Sequence, residues 1–241
     1  MYYVSCNSVP LERVFCFKYL GVHIDSTLSF NLHFDSVCSR VSSAVGCLLL
    51  IKRFINLRVF KVLVHSFVYS IIDYCLSIWG HAAETKIQIL QSKVNFLLGT
   101  YFYPRIVNKF QRLNRIAHHY DNTNFVQPAI NYTKLWEKCN LLSVAERVKY
   151  FDAMFAFKTI TQQKIPEISI FFQFGTSSRT NALKVIPHNC KIFENSPIYQ
   201  AIKIWNDLPR EAKELSIPLC KFKSLLEDWF LDCRESEFVF S

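Results

Sequence analysis

The chain carries the stretch FKYLGVHID at residues 17–25, and we expect the fold to be organised around it. Phe17 and Tyr19 flank Lys18, which is the period-two alternation of a half-buried β-strand. Gly21 then permits a tight reversal that a residue with a Cβ atom would resist. Because the alternation resumes after the glycine, the stretch predicts a β-hairpin that presents Lys18 and Tyr19 near its tip.

The predicted tip combines a cation with an aromatic ring. A lysine can contact a sugar-phosphate backbone, and a neighbouring ring can stack on a base. The hairpin is therefore a candidate nucleic-acid contact. An ordinary hairpin of a small α+β protein remains the alternative at this point.

Composition favours a folded and mainly helical protein. The chain has 241 residues, which is enough for one large or two small domains with a hydrophobic core. Hydrophobic residues make up 51% of it, which excludes general disorder. The five glycines are too few for a β-rich fold with many tight turns or for a glycine-rich phosphate loop.

Positive charge is concentrated in the first half of the chain. The formal net charge is +9, and residues 13–115 hold thirteen Lys or Arg against four Asp or Glu. The remainder holds fifteen residues of each sign and is neutral. A segregated excess of this kind favours a surface that binds a polyanion, although lysines and arginines also solubilise the exposed faces of apolar helices.

Apolar periodicity predicts the helices of the first half. Residues 31–52 follow the i, i+3, i+4, i+7 rule, and Asn56 can cap a second helix. A third runs over residues 84–98, with Gly99 as its stop. A basic amphipathic pattern then begins at Arg105.

The second half is predicted to be helical with an irregular segment. Ser143 and Glu146 form a capping box that opens a helix. Residues 168–187 are predicted to be irregular or extended. A short helix follows over residues 198–207, and a last amphipathic helix over residues 218–231. The fold class is thus mainly α with a small N-terminal β-hairpin. We expect three parts: a hairpin (1–25), a basic helical domain (26–120) and a neutral, smaller helical or irregular region (121–241).

The sequence also predicts the cellular compartment, and it predicts neither a membrane partner nor a cofactor. Nine scattered cysteines without a CxxC pair indicate a reducing, intracellular location, nuclear or cytoplasmic. The nearly uncharged run at residues 62–80 contains Asp73, which would be costly in lipid, so no membrane partner is expected. The pairs His118–His119 and His188-x-Cys190 have no second pair at zinc-site spacing, so we expect no metal and no cofactor.

The stretch at residues 17–25 resembles the segment that follows the catalytic palm in reverse transcriptases of non-LTR retrotransposons, the LINE and jockey-like elements. In that family this hairpin is the primer grip, and a helical thumb follows it. The resemblance therefore implies a thumb-like helical bundle after residue 25 and, in the parent enzyme, RNA-directed DNA synthesis on a primed template.

Further segments are similar to the family in the same order along the chain. They extend over about residues 14–231 and include LSFNxHxDxV, SxxDYxxxxWG, LQxK, LLSVxxR, RTN, AxxxWNDLP and FKSxL, which begin at Leu28, Ser70, Leu90, Leu141, Arg179, Ala201 and Phe222.

One departure from the family decides the expected activity. The resemblance places a palm with paired aspartates before Phe17, yet the chain has no two adjacent Asp residues. Two-metal phosphoryl transfer needs carboxylates that hold two cations a few ångströms apart. We therefore expect no catalytic residues and a truncated remnant of a mobile-element RNA-directed DNA polymerase, catalytically incompetent alone.

The expected surviving function is sequence-tolerant binding of RNA, DNA or a hybrid. Alternatives are a repurposed helical scaffold that binds protein through exposed aromatic surface, and a decayed reading frame without function. The candidate nucleic-acid contacts are Lys18, Tyr19, Arg40, Arg58, Lys61, Arg105, Lys109, Arg112 and Arg115.

Overall fold

Two short antiparallel hairpins precede a largely helical body. The first pairs β1 (Ser5–Cys6) with β2 (Val9–Pro10), and the second pairs β3 (Cys16–Tyr19) with β4 (Val22–Asp25). The computed structural model describes residues 5–6, 9–10, 12–119, 130–162, 166–175 and 181–238, with side chains over 12–111, 130–162, 166–175 and 181–234.

Six helices follow the hairpins. A 3₁₀ turn (Lys52–Phe54) ends the first, and a π-helical segment (Val64–Tyr69) joins the second to the third. The helices are α1 (Asn31–Ile51), α2 (Leu57–Leu63), α3 (Ser70–Asp73), α4 (Leu76–Trp79), α5 (Glu84–Phe102) and α6 (Pro104–His119).

The remaining described helices form the second half. An isolated β-bridge joins Phe174 to Leu183, and a 3₁₀ turn spans Arg210–Lys213. The helices are α7 (Tyr132–Cys139), α8 (Val144–Gln162), α9 (Pro166–Ser169), α10 (Lys191–Glu194), α11 (Pro197–Asp207) and α12 (Leu219–Phe238).

Two hydrophobic cores organise these elements. The first joins α1–α5, β4, α7 and the start of α8, with Phe60, Tyr69 and Leu90 fully buried. The second joins the rest of α8 to α11 and α12, where Phe157 stacks on Phe222 with ring centroids 4.1 Å apart. Helix α8 thus contributes apolar side chains to both cores.

Polar contacts also tie the second half to the first. The Arg147 Nε donates to Asp73 Oδ1 at 2.7 Å, and its guanidinium lies 4.1 Å from the ring centroid of Tyr69. The Tyr69 hydroxyl donates to the Leu142 carbonyl at 2.8 Å. These contacts fix the start of α8 against the π-helical segment.

The structure confirms the predicted fold class, mainly α with a small N-terminal hairpin. The Ser143–Glu146 capping box forms, since each backbone N–H donates to the other side chain, at 2.6 and 3.2 Å. The predicted stop at Gly99 is wrong, because α5 continues to Phe102. Gly99 is instead a close-packed helical position, where an added Cβ atom would lie 3.3 Å from the Tyr132 hydroxyl oxygen.

The boundary predicted at residue 120 lies outside the described residues. The first core includes side chains beyond it, up to Val148. Over the described part of the chain, one helical stretch, Asn31–Phe54, is long and apolar enough to cross a membrane. A core helix can meet the same criterion, and in this fold Val37, Val41 and Leu48 of the stretch are buried.

Candidate nucleic-acid interface

The second hairpin closes through a two-residue turn. Tyr19 pairs with Val22, and the residues between them, Leu20 and Gly21, have φ values of 45° and 86°. Positive φ at both positions is the type I′ geometry that matches the twist of paired strands, and glycine adopts it without strain. Lys18 and Tyr19 therefore lie beside the tip, as predicted, and both are exposed.

The hairpin tip is held by a residue from the helical body. The Tyr74 hydroxyl, between α3 and α4, donates to the Leu20 carbonyl at 2.5 Å. Tyr74 also lies 3.5 Å from the position that a Cβ atom would take on Gly21. The Tyr74 carbonyl in turn accepts from the Trp79 indole N–H at 2.9 Å. The exposed Lys18 and Tyr19 are thus carried on an anchored element.

Asp25 fixes the base of the hairpin to α1. Its carboxylate accepts from the Thr27 hydroxyl at 2.5 Å, from the Ser29 amide at 3.0 Å and from the Phe30 amide at 2.6 Å. These bonds, with that of Thr27 the largest effect, hold the Asp25 pKa well below its usual range. Asp25 is therefore an anionic cap for the turn that leads into α1.

A row of lysines follows the seam between α1 and α5. Lys86 Nζ donates to the Ser29 carbonyl at 2.5 Å, Lys93 Nζ to the Ser42 hydroxyl at 2.8 Å and Lys52 Nζ to the Thr100 carbonyl at 3.3 Å. The contacts advance along both helices together, so α1 and α5 run in the same direction. We call Lys52, Lys86 and Lys93 the seam lysines.

The seam lysines are regularly spaced, and no described side chain forms an ion pair with them. Lys86, Lys93 and Thr100 are seven residues apart along α5, which is about 10 Å per step. Each ammonium bonds a neutral oxygen, and all three side chains are half-buried. Burial and then the neighbouring Arg53 lower the pKa of Lys52.

Arg40 extends the positive surface along α1, where it is exposed. Its charge helps to lower the pKa of the buried His33 to about 4, after burial itself and the nearby His23. His33 lies between His23 and Trp79, with ring centroids 6.3 and 5.4 Å from its own, and it meets Trp79 in a T-shaped arrangement. At neutral pH it is an uncharged core residue beneath the hairpin.

The other predicted cations lie at the opposite end of α1. Arg58 and Lys61 are on α2, the first exposed and the second half-buried, while Arg105 and Lys109 are exposed on α6. The 21-residue α1 separates this end from the hairpin by about 31 Å. Arg112 and Arg115 belong to α6, but their side chains are outside the described residues.

The structure therefore divides the predicted contacts into two groups. Lys18, Tyr19 and Arg40 lie toward the hairpin end. The α2 and α6 residues lie near Lys52, at the other end of the seam. The seam lysines connect the two groups. Sequence reasoning counted their charges but did not select them as contacts, although the seven-residue interval from Lys86 to Lys93 on one predicted helix is a readable signal.

Three of the four acids of the basic region bond groups other than these cations. Asp25 bonds the turn that precedes α1, Asp73 pairs with Arg147 of the second half, and Glu84 accepts from the Gln88 amide at 3.4 Å. Within the part of the chain where side chains are described, Lys and Arg residues 13–109 form no ion pair. The surface thus has a net positive field suited to phosphates.

Other described groups offer no comparable site. A cleft of about 870 Å³ lies between α8, α11 and α12, but its buried charges pair with each other, Arg234 with Glu146 and His81 with Asp152. Among the described residues, no three His, Cys, Asp or Glu side chains are arranged to hold a metal ion. No protein-family model, curated protein or solved structure matches the chain.

Proposed function

We propose that this chain is a nucleic-acid-binding remnant of the reverse transcriptase of a non-LTR mobile element, acting inside the cell. It holds a primed template through the phosphate backbone and has no polymerase activity of its own, because the paired aspartates of a two-metal centre are absent from these 241 residues. The observation that carries the proposal is the row of seam lysines without counter-charges, flanked by the exposed Lys18 and Arg40.

Contacts among the residues that carry the family resemblance support this ancestry. Tyr74 anchors the hairpin tip, and Asp73 binds Arg147. In the second core the Trp205 indole N–H donates to the Asn181 carbonyl at 2.9 Å. Motifs that are far apart in the sequence thus meet in space, as this ancestry requires.

A salt titration of binding tests the function. Fluorescence anisotropy with a labelled primed RNA template, between 50 and 200 mM salt, should give a steep loss of affinity, because each phosphate contact contributes about −0.9 to the slope of log K against log salt. The triple variant Lys52→Gln/Lys86→Gln/Lys93→Gln should flatten the slope by up to about 2.7 and weaken binding at every sequence tested.

A matched control keeps the change in total charge constant. Lys158, Lys221 and Lys223 are exposed on α8 and α12, away from the seam. Their triple Gln substitution should leave the slope unchanged. Absence of binding at 50 mM salt would reject the proposal, and equal losses in the two triple variants would reject the seam as the contact surface.

One observation favours a second function of another class. The hairpin exposes Phe15, Phe17 and Leu20 at 78%, 59% and 72%, a cluster of apolar surface that is unusual for a free face. A protein-binding scaffold would use this surface, and its binding would depend on salt much less than binding through many phosphate contacts. The titration above separates the two functions, since only phosphate contacts give the steep slope.

A further inference from the structure

Among the described residues, strand β3 is paired along one edge only. The two-residue turn makes Tyr19–Val22 a hydrogen-bonded pair, and such pairs alternate along the strands. Phe17–Ile24 is therefore the next bonded pair, and the Ser26 amide donates to the Phe15 carbonyl at 2.9 Å, as this register requires. The N–H and C=O groups of Cys16 and Lys18 consequently point away from β4.

No described strand pairs with that edge, because β3 and β4 form a sheet of two strands. The edge presents two donors and two acceptors, which is the arrangement that accepts an added antiparallel strand.

The apolar face of β3 extends beyond the helical body. Residues opposite each other on paired strands share a face, so Phe17 and Tyr19 share one with Val22 and Ile24. Val22 is only 4% exposed and Ile24 packs on the first core, whereas Phe17 and Tyr19 are each 59% exposed. An added strand would continue this face and cover the two rings.

The other face of the edge carries one exposed cation, Lys18, and the two exposed residues just before the strand, Glu12 and Arg13, add no net charge. Asp25, which lies opposite Cys16 on that face, is already bonded to Thr27, Ser29 and Phe30. A strand beside β3 would therefore be favoured by an acidic residue opposite Lys18.

We propose that the free edge of β3 binds an extended segment of a partner protein as a third, antiparallel strand. The segment alternates apolar residues, opposite Phe15, Phe17 and Tyr19, with acidic residues, opposite Cys16 and Lys18. The inference specifies the partner of the second function above and does not depend on nucleic-acid binding.

A peptide with the core Val-Glu-Val-Glu-Val, acetylated and amidated, tests the proposal on the full chain. Amide exchange followed by NMR should show new protection at the Cys16 and Lys18 amides. The Phe17 and Tyr19 amides, which already bond β4, should change little. Methylating the peptide nitrogens that face Cys16 and Lys18 should abolish binding, because it removes the added ladder bonds.

Charge reversal supplies the matched variant. Lys18→Glu should weaken the glutamate peptide roughly tenfold and strengthen a Val-Lys-Val-Lys-Val peptide by a similar factor. Protection spread evenly over β3 and β4, binding that survives the methylation, or equal affinity for both peptides would overturn the proposal. So would concentration-dependent self-association through β3 with no peptide binding, which would assign the edge to a second copy of the chain.

Discussion

Cations of the two halves of the molecule have different surroundings. In the first half, Lys86 and Lys93 bond a carbonyl and a hydroxyl, and their charges remain unbalanced. In the second half, Arg147 and Arg234 are mostly buried and pair with Asp73 and Glu146. The comparison teaches that the excess positive charge lies in one half, whereas two mostly buried arginines of the other half stabilise the fold.

The largest expected effect comes from breaking a structural pair. Arg147→Met leaves the Asp73 carboxylate, 20% exposed, without its guanidinium and should lower the free energy of unfolding by about 3–5 kcal/mol. Urea denaturation measures this. Lys158→Met, an exposed change on the same helix, should stay within about 0.5 kcal/mol. Similar losses in the two variants would show that Arg147 has no special role.

A second prediction concerns how the stability of the cationic half depends on pH, through the buried His33. The pKa of His33 is about 4 in the folded chain against 6.5 in the unfolded one, so the unfolded state binds more protons between these values. The His33 contribution is therefore complete above pH 6.5 and is lost as the pH falls toward 4. From pH 7 to 4.5 we expect a loss of about 2–3 kcal/mol.

The variant His33→Phe isolates this contribution. Other groups titrate in the same range, so the informative quantity is the difference between the urea unfolding free energies of the native chain and the variant at each pH. As the pH falls, the native chain should lose free energy of unfolding relative to the variant. A constant difference would mean that His33 keeps its ordinary pKa.

A smaller effect is expected at the hairpin anchor. Tyr74→Phe removes one donated hydrogen bond to the Leu20 carbonyl and should reduce the free energy of unfolding by about 1 kcal/mol. Amide exchange should accelerate in β3 and β4 more than in α5. Exchange that rises uniformly would indicate that the tyrosine supports the whole fold and not the tip.

The smallest effect on stability is expected for a substitution of one seam lysine. Lys93→Gln removes a charge that no carboxylate balances, so the free energy of unfolding should change by less than about 0.5 kcal/mol. Affinity for a primed template should nevertheless fall. A destabilisation as large as that of Arg147→Met would erase the distinction between the two halves.

Those parts of the site that depend only on neighbouring residues could be predicted from the sequence. The alternation around Gly21 predicted the hairpin and the exposed positions of Lys18 and Tyr19, because register and turn depend on neighbouring residues. Its anchor, Tyr74, lies 54 residues away from Leu20, and no local pattern connects the two.

The packing of α1 against α5 could not be predicted from local sequence either. Periodicity predicted α1 and α5, but not that they pack in the same direction and bring Lys52 beside Thr100. Gly99 failed as a predicted stop for a related reason. Its local preference for a helix end is overridden by Tyr132 and Val107, which pack closely against the glycine within the helix.

Helix α8 limits where recombination or splicing can divide this chain. Val148 belongs to the first core and Phe157, nine residues later, to the second. A recombination breakpoint or splice junction inside α8 would expose apolar surface on both sides, and one upstream of it would strip Val144 from the first core. Donor and recipient sequences can therefore exchange the two halves only when their versions of this helix are interchangeable.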